Sequence, residues 1–329
     1  MAFITKTIAC GMIAAIAAAG GFAWWVQEPI TTEGDPIEFT ISKGSGAHAA
    51  GQQMAEAGVP IQPLLFNLLA RVTSRSNKLK AGTYELKPGT TPMKLVDQLV
   101  RGEFAQESLT IIEGWTFKQM RAAIAAHRGL KHDTVELSDR ELMARISTEY
   151  KNPEGLFFPD TYLFAKGSSE LDIYRKAHSS LIQHLVTAWE KRDQNLPYAN
   201  PYQALTMASI VEKETGQRSE RTMIAAVFVN RLRLGMLLQT DPTVIYGMGA
   251  RFDGNIRKKD LETDTPYNTY TRTGLPPTPI SLPGLQSLTA AMSPARSGAL
   301  YFVARGNGTS QFSDNLTDHN RAVNQYQRQ

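Results

Sequence analysis

The sequence predicts an α+β chain: an N-terminal transmembrane helix, a small mixed domain, and a larger, mainly helical domain with a small sheet. Three observations predict it. Thr7 to Val26 is a run of 20 residues without a charge, enough to cross a bilayer core of about 30 Å. Between residues 37 and 127, short alternating strands end in glycine and lead through a threonine or serine cap into helices. From residue 172 onward long helical periodicities dominate, with one strand pair near the C-terminus.

The 329 residues allow two or three domains, and an apolar fraction of 42% is ample for packed cores. A formal charge of +4 is mildly basic. It suits an anionic surrounding such as a membrane face or a cell wall, and is too weak and dispersed to indicate nucleic acid. A single cysteine, Cys10, rules out an internal disulfide.

Residues 1–6 form a short tail carrying Lys6, and Trp24 and Trp25 close the apolar run at 7–26, where interfacial aromatics belong. Glu28, Glu33 and Asp35 follow. The positive charge therefore stays in the cytoplasm and the remainder goes outside. The Ala17-Ala18-Ala19 run also fits a cleaved signal peptide, but the two tryptophans extend the span beyond a usual signal core. Cys10 lies before most of the apolar run and reads as a membrane-buried small residue, not a lipidation site. Residues 27–36, polar with two prolines, read as a linker.

Phe39-Thr40-Ile41-Ser42-Lys43-Gly44 is a strand ending in glycine, though Gly44-Ser45-Gly46-Ala47-His48 gives a loose helix entry. Tyr84-Glu85-Leu86-Lys87-Pro88-Gly89 is a second strand, followed by Thr90, Thr91 and a helix from Met93 to Val100. Ile61 to Val72 is an amphipathic helix between them. Leu109 to Gly114 is a third strand, with Thr116 capping a helix from about Phe117 to His127. The middle unit, Y-x-L-K-x-G-x-T before an amphipathic helix, resembles a LysM-like glycan-binding module. A plain α+β spacer is the other reading of residues 37–106.

Residues 107–165 form a connector with an aromatic run, Gly155-Leu156-Phe157-Phe158-Pro159-Asp160-Thr161-Tyr162, read mostly as core. A long helix from Asp172 to Arg192 places Ile173, Ala177, Leu181, Leu185 and Ala188 on one face. Ala204, Leu205, Ala208 and Val211 mark a helix ending in Glu212 and Glu214, with Gly216 as its stop. Acids in a last turn oppose the helix dipole, a misfit of the sort found at functional sites. Another helix runs from about Glu220 to Leu234. Residues 235–298 are loop-rich, and loops this long are usually functional. Leu300 to Ala304, a Gly306-Asn307-Gly308 turn and Ser310 to Phe312 form a hairpin. Asp314 or Asn315 caps a last helix to about Tyr326.

Five runs, ASIVEKET, VFVNRLRLGM, LQTDPTVIYGMG, YNTYTRTGLPP and LYFVARG, carry a resemblance across nearly the whole chain. They resemble the endolytic murein transglycosylases, the MltG/YceG-like family. The resemblance implies a lysozyme-like catalytic domain at 166–329 and a single-pass anchor in the inner membrane, with the catalytic domain in the periplasm. It implies an enzyme cutting MurNAc–GlcNAc β-1,4 bonds within nascent peptidoglycan strands to leave 1,6-anhydro ends. Such an enzyme acts as a terminase of glycan polymerisation, with peptidoglycan synthases as partners.

Cleaving a glycosidic bond needs an acid to protonate the departing oxygen, and a hydrolase adds a second carboxylate. A lytic transglycosylase works with one, which then takes the proton from the C6 hydroxyl as that oxygen closes on C1. Such an acid needs a raised pKa, as an apolar setting supplies. Glu212 and Glu214 point about 200° apart on one helix, and both lie in apolar arcs, so periodicity does not choose. Glu214 is nearer the helix end, and Glu214-Thr215 resembles the Glu-Ser pair of lytic transglycosylases. Glu214 is therefore the expected acid. Glu212 is expected to pair with Arg231 or Arg218. Glu220 is either a supporting acid or a complement to a helix dipole.

Gln239, Thr240, Asp241, Tyr246, Asn268 and Tyr270 offer donors, acceptors and ring faces suited to N-acetyl sugars, although Asp241-Pro242 also reads as a plain turn. The six histidines show no zinc spacing, and no G-x-S-x-G is present. No metal or other cofactor is expected. A muramidase-type hydrolase and a non-catalytic glycan-binding scaffold are the alternatives.

Overall fold

The computed structural model describes residues 2–32, 35–214 and 216–327, with side chains from Gly11 onward. Glu33 and Thr215 lie outside the described residues, as do the side chains of Lys6 and Cys10. The chain divides into two compact units: residues up to 107 with 163–168, and residues 108–162 with 169 onward.

The first unit holds α1 (Ala2–Gln27), β1 (Ile37–Ile41), α2 (Ala47–Glu56), α3 (Pro63–Val72), β2 (Gly82–Leu86) and α4 (Pro92–Arg101). The run from Thr7 to Val26 falls within α1. Among the described residues, no helix is long and apolar enough to cross a membrane. Strands β1 and β2 pair antiparallel with Phe39 opposite Tyr84, and the two rings stack at 5.7 Å. The inward positions Phe39, Ile41, Tyr84 and Leu86 meet Met54, Phe66, Leu69, Leu95 and Leu99 from the helices. Val26 and Ile30 join this core, and the Ile30 N–H donates to the Thr90 carbonyl at 2.9 Å. The stretch expected as a linker is therefore partly packed. Thr91 caps α4 by accepting from the Lys94 N–H at 3.3 Å. In contrast, α2 starts at Gly46 with no side-chain cap.

The remaining elements follow in chain order. They are β3 (Gln106–Thr110), α5 (Phe117–Ala125), β4 (Leu130–Lys131), α6 (Asp139–Ala144), β5 (Thr161–Ala165), β6 (Ser168–Ser169), α7 (Glu170–Glu190), α8 (Pro201–Glu214) and α9 (Arg221–Arg233). Then come α10 (Asp241–Met248), α11 (Lys258–Glu262), α12 (Leu285–Met292), β7 (Tyr301–Ala304), β8 (Ser310–Ser313) and α13 (Leu316–Tyr326). β3 pairs with β5 and β4 with β6. The strand–cap–helix repeat thus splits: β3 does not join the β1–β2 sheet.

Helix α8 is the axis of the second unit. Ala204 to Val211 are buried without a break, because α7, α9, α10 and α12 all pack on it. The expected amphipathic stripe is thus a helix apolar almost all round, as a central helix must be. α9 begins after a short 3-10 turn, Arg218–Glu220. The region expected as loop contains α10, α11 and α12, three helices too short for periodicity to show. β7 and β8 form the expected hairpin, with Tyr301 opposite Ser313. Asn315 caps α13, its Oδ1 accepting from the Asp318 N–H at 2.9 Å.

Candidate active site

Glu214 is the last residue of α8. Its Oε2 accepts a hydrogen bond from the Thr240 hydroxyl at 2.6 Å. Thr240 sits immediately before α10, and a set of threonine contacts holds it there. Its N–H donates to Thr269 Oγ1 at 3.1 Å, and the Thr243 hydroxyl donates to the Thr240 carbonyl at 2.8 Å. Gln239 precedes it with φ +51°, a conformation uncommon for a residue with a side chain and often found at working sites.

Burial is the main force on the Glu214 carboxyl, and it pushes the pKa up. The Thr240 hydrogen bond and the Arg231 charge pull it down, while the Asp241 charge pushes it further up. The group thus sits above the ordinary carboxylate range, as an acid that must hold a proton near neutral pH requires.

Arg231 is buried on α9. Its Nε donates to the Leu300 carbonyl at 2.7 Å and its Nη1 to the Leu238 carbonyl at 2.8 Å. It also reaches Gln239 Oε1 at 3.5 Å, and its guanidinium lies over the Tyr301 ring, 5.1 Å from the centroid. Arg231 therefore ties α9, the hairpin and the 237–239 loop together beside Glu214. Asp241 accepts at Oδ1 from the Tyr270 hydroxyl at 2.6 Å. Thr240, Asp241, Gln239 and Tyr270 thus gather near Glu214.

Asn268 and Tyr246 are placed differently from the expectation. Asn268 is 1% exposed. Its amide donates to the carbonyls of Asp260, Leu261 and Thr263, at 3.3, 3.0 and 2.7 Å, so it organises the 260–270 loop from within. The Tyr246 hydroxyl donates to Glu154 Oε2 at 3.1 Å.

Glu212 faces away from this cluster. Its Oε1 accepts from Arg221 Nη2 at 2.9 Å and its Oε2 from the Gly284 N–H at 2.9 Å. The partner is Arg221, not Arg231 or Arg218, because the 3-10 turn brings the first residue of α9 back alongside α8. Glu220 binds the hairpin: the Ser310 N–H and hydroxyl donate to its two oxygens, each at 2.7 Å.

Glu154 is the acid that sequence reading passed over. It is 5% exposed, accepts from the Phe117 N–H at 3.0 Å and from Tyr246. Burial raises its pKa to about 7 against the lowering pull of these bonds. An acid directly before a run of buried aromatics was the available signal. Among the described residues, no group of three or more His, Cys, Asp or Glu side chains is placed to hold a metal ion.

The YceG-like family matches residues 39–325 of the chain. The endolytic murein transglycosylase of Bacillus subtilis (strain 168) is 32% identical over 307 residues, covering 88% of this chain and 84% of its own length. The endolytic murein transglycosylase of Streptococcus pneumoniae (strain D39) is 28% identical, and the match covers 86% of this chain and 57% of its own length. The crystal structure of a yceG-like protein from Listeria monocytogenes is 33% identical with a TM-score of 0.56, over 87% of this chain and 99% of that one.

Proposed function

The chain belongs to the YceG-like family, and on that premise we propose that it is an endolytic lytic transglycosylase of peptidoglycan with Glu214 as its acid and base. The observation that carries the reading is the Glu214 carboxyl itself, at the end of α8, raised in pKa by burial and held by Thr240. Protonated, it donates to the glycosidic oxygen between MurNAc and GlcNAc as the C1–O bond breaks. Ionised, it takes the proton of the muramic C6 hydroxyl, whose oxygen closes on C1 to give the 1,6-anhydro ring. The site regains its starting protonation state without water as a reactant. Gln239, Asp241 and Tyr270 are the polar groups near Glu214 that would meet the N-acetyl sugars.

The rest of the chain serves placement. The helix at Thr7 to Val26 anchors the protein in the inner membrane, with residues 1–6 in the cytoplasm and residues from 27 onward in the periplasm. Its apolar composition and the Lys6 and acidic flanks support this orientation. The first unit engages glycan: beside β2 and α4 a cleft of about 750 Å³ is lined by Glu85, Lys87, Thr90, Gln98 and other polar groups. Cutting nascent strands next to the membrane would terminate polymerisation near the synthases.

Mass spectrometry of the glycan products of wild type and Glu214→Gln tests the reading. Anhydro-muramic ends from wild type and none from the variant are expected. Asp241 is the acid whose charge acts on Glu214. Were it to activate a water, reducing ends would dominate, and the one-carboxylate mechanism would give way to a muramidase.

A further inference from the structure

Helix α10 has an acid at each end. At its start, Thr240 donates to Glu214. Six residues on, about 9 Å along the helix axis, Tyr246 donates to Glu154 at 3.1 Å. Glu154 is itself held by two further bonds. Its N–H donates to Asn152 Oδ1 at 2.9 Å, and Phe117 donates to its Oε1 from the first turn of α5. The next residue, Gly155, has φ +77° and lies so close to Pro279 that a Cβ there would fall 2.3 Å from the ring. The Tyr246 ring meets Tyr267 edge-on at 4.8 Å, and the Tyr267 hydroxyl shares a hydrogen bond with Thr278 at 2.9 Å.

We propose that Glu154 is a positioning residue: by holding Tyr246 it fixes α10, and so sets how Thr240 meets Glu214. The physical ground is the shortness of the helix. α10 spans eight residues, with no side-chain cap at its start, and isolated helices of this length do not persist in water. Its position rests on tertiary bonds, and Tyr246–Glu154 is a partly buried one at the end away from the chemistry. Lys118, Arg140, Lys151 and Asp139 line the cleft of about 490 Å³ that Glu154 and Tyr246 share, so these charges face the latch.

The test uses the full chain with ¹³C-labelled glutamate, the Glu214 resonance being identified by its absence in Glu214→Gln. Tyr246→Phe removes one hydroxyl and leaves the Phe117–Glu154 bond; Glu154→Gln keeps an acceptor for Phe117. The Thr240 bond lowers the Glu214 pKa, so loosening α10 should raise the Glu214 titration midpoint in both variants. On peptidoglycan strands kcat should fall by up to about 100-fold with KM little changed, since misplacement by about 1 Å has that effect. The double variant should be no worse than the single ones. Unmoved midpoints in folded variants, or additive losses, overturn the proposal. It rests on Glu214 as the acid. If wild type cuts nothing, that reading fails while the titration still decides the latch. If Glu154→Gln does not fold, Tyr246→Phe alone decides it.

Discussion

Arg221 donates through Nη2 to Glu212 Oε1 at 2.9 Å, and the two side chains are 7% and 5% exposed. The pair joins the last turn of α8 to the first residue of α9, and the Gly284 N–H on Glu212 adds the start of α12. A buried ion pair is weak evidence of net stabilisation, but losing one member leaves the other charge poorly compensated. Without Glu212, Arg221 would keep Gln286 at 3.2 Å and the more distant Glu113 carboxylate at 3.9 Å. Glu212→Ala should therefore cost roughly 3–5 kcal/mol, read by urea unfolding. Glu212→Gln should lose less, because an amide oxygen still accepts from Gly284 or Arg221. Cleavage per folded molecule should persist in Glu212→Gln; a folded but inactive variant would transfer the acid's role from Glu214 to Glu212.

The end of α8 was legible because its causes are local: an apolar face, two terminal acids and a glycine stop. The caps at Thr91 and Thr116 were legible for the same reason, each bonding within its own first turn. The partner of Glu212 was not. Periodicity reports which face a residue occupies and is silent on what the chain returns to place there. Helix α10 was hidden by Pro242 and Gly247, which read as loop chemistry although proline suits a first turn. Glycine gives room at 247, where a Cβ would sit 3.0 Å from Tyr267 Cβ and 3.1 Å from Thr265 Oγ1. The Thr240–Glu214 and Tyr246–Glu154 bonds join residues 26 and 92 positions apart. Such pairings are set by tertiary packing, which no window of sequence contains.

Glu214→Gln should retain the fold and lose cleavage by about 10⁴-fold or more, the top of the range for one acid–base group, because the same carboxyl acts in both steps. Its stability should move the other way. The folded pKa of Glu214 lies above the ordinary value of 4.5, so the native state binds the proton more tightly than the unfolded chain. That contribution is full below the unfolded value and is lost as pH rises through the folded one. Glutamine carries no charge to bury. The variant's melting temperature should therefore gain on wild type as pH rises from 5 to 8. A gap that narrows over that range would mean the carboxylate is stabilised in its charged form.

Gly155→Ala separates strain from steric clash. At φ +77° any Cβ is strained, and here it would also meet Pro279 at 2.3 Å, a rigid ring with no rotamer to yield. The loss should be roughly 2–5 kcal/mol. Gly306→Ala is the control, since φ is +81° and nothing lies within 4 Å. That substitution should cost only the backbone term, about 1–2 kcal/mol. Equal losses by chemical denaturation at the two sites would remove Pro279 from the account.

Glu154 gives the second unit its own dependence on pH. Burial raises the carboxyl from 4.5 to about 7, so the folded state again favours the protonated form. The sign follows from the proton count: between the two values the native chain binds more protons than the unfolded one, and stability falls as pH rises. A shift of this size corresponds to about 3 kcal/mol, all present below the unfolded value and gone once pH passes well above 7. Glu154→Gln has no such titration. Urea midpoints of wild type and variant, measured from pH 4.5 to 8.5, should therefore diverge, with the wild-type curve falling more steeply and most of the divergence centred near pH 7. Parallel curves would mean that the folded Glu154 titrates as an ordinary solvated carboxylate, and that Tyr246 and Phe117 hold it charged at no net loss to the fold.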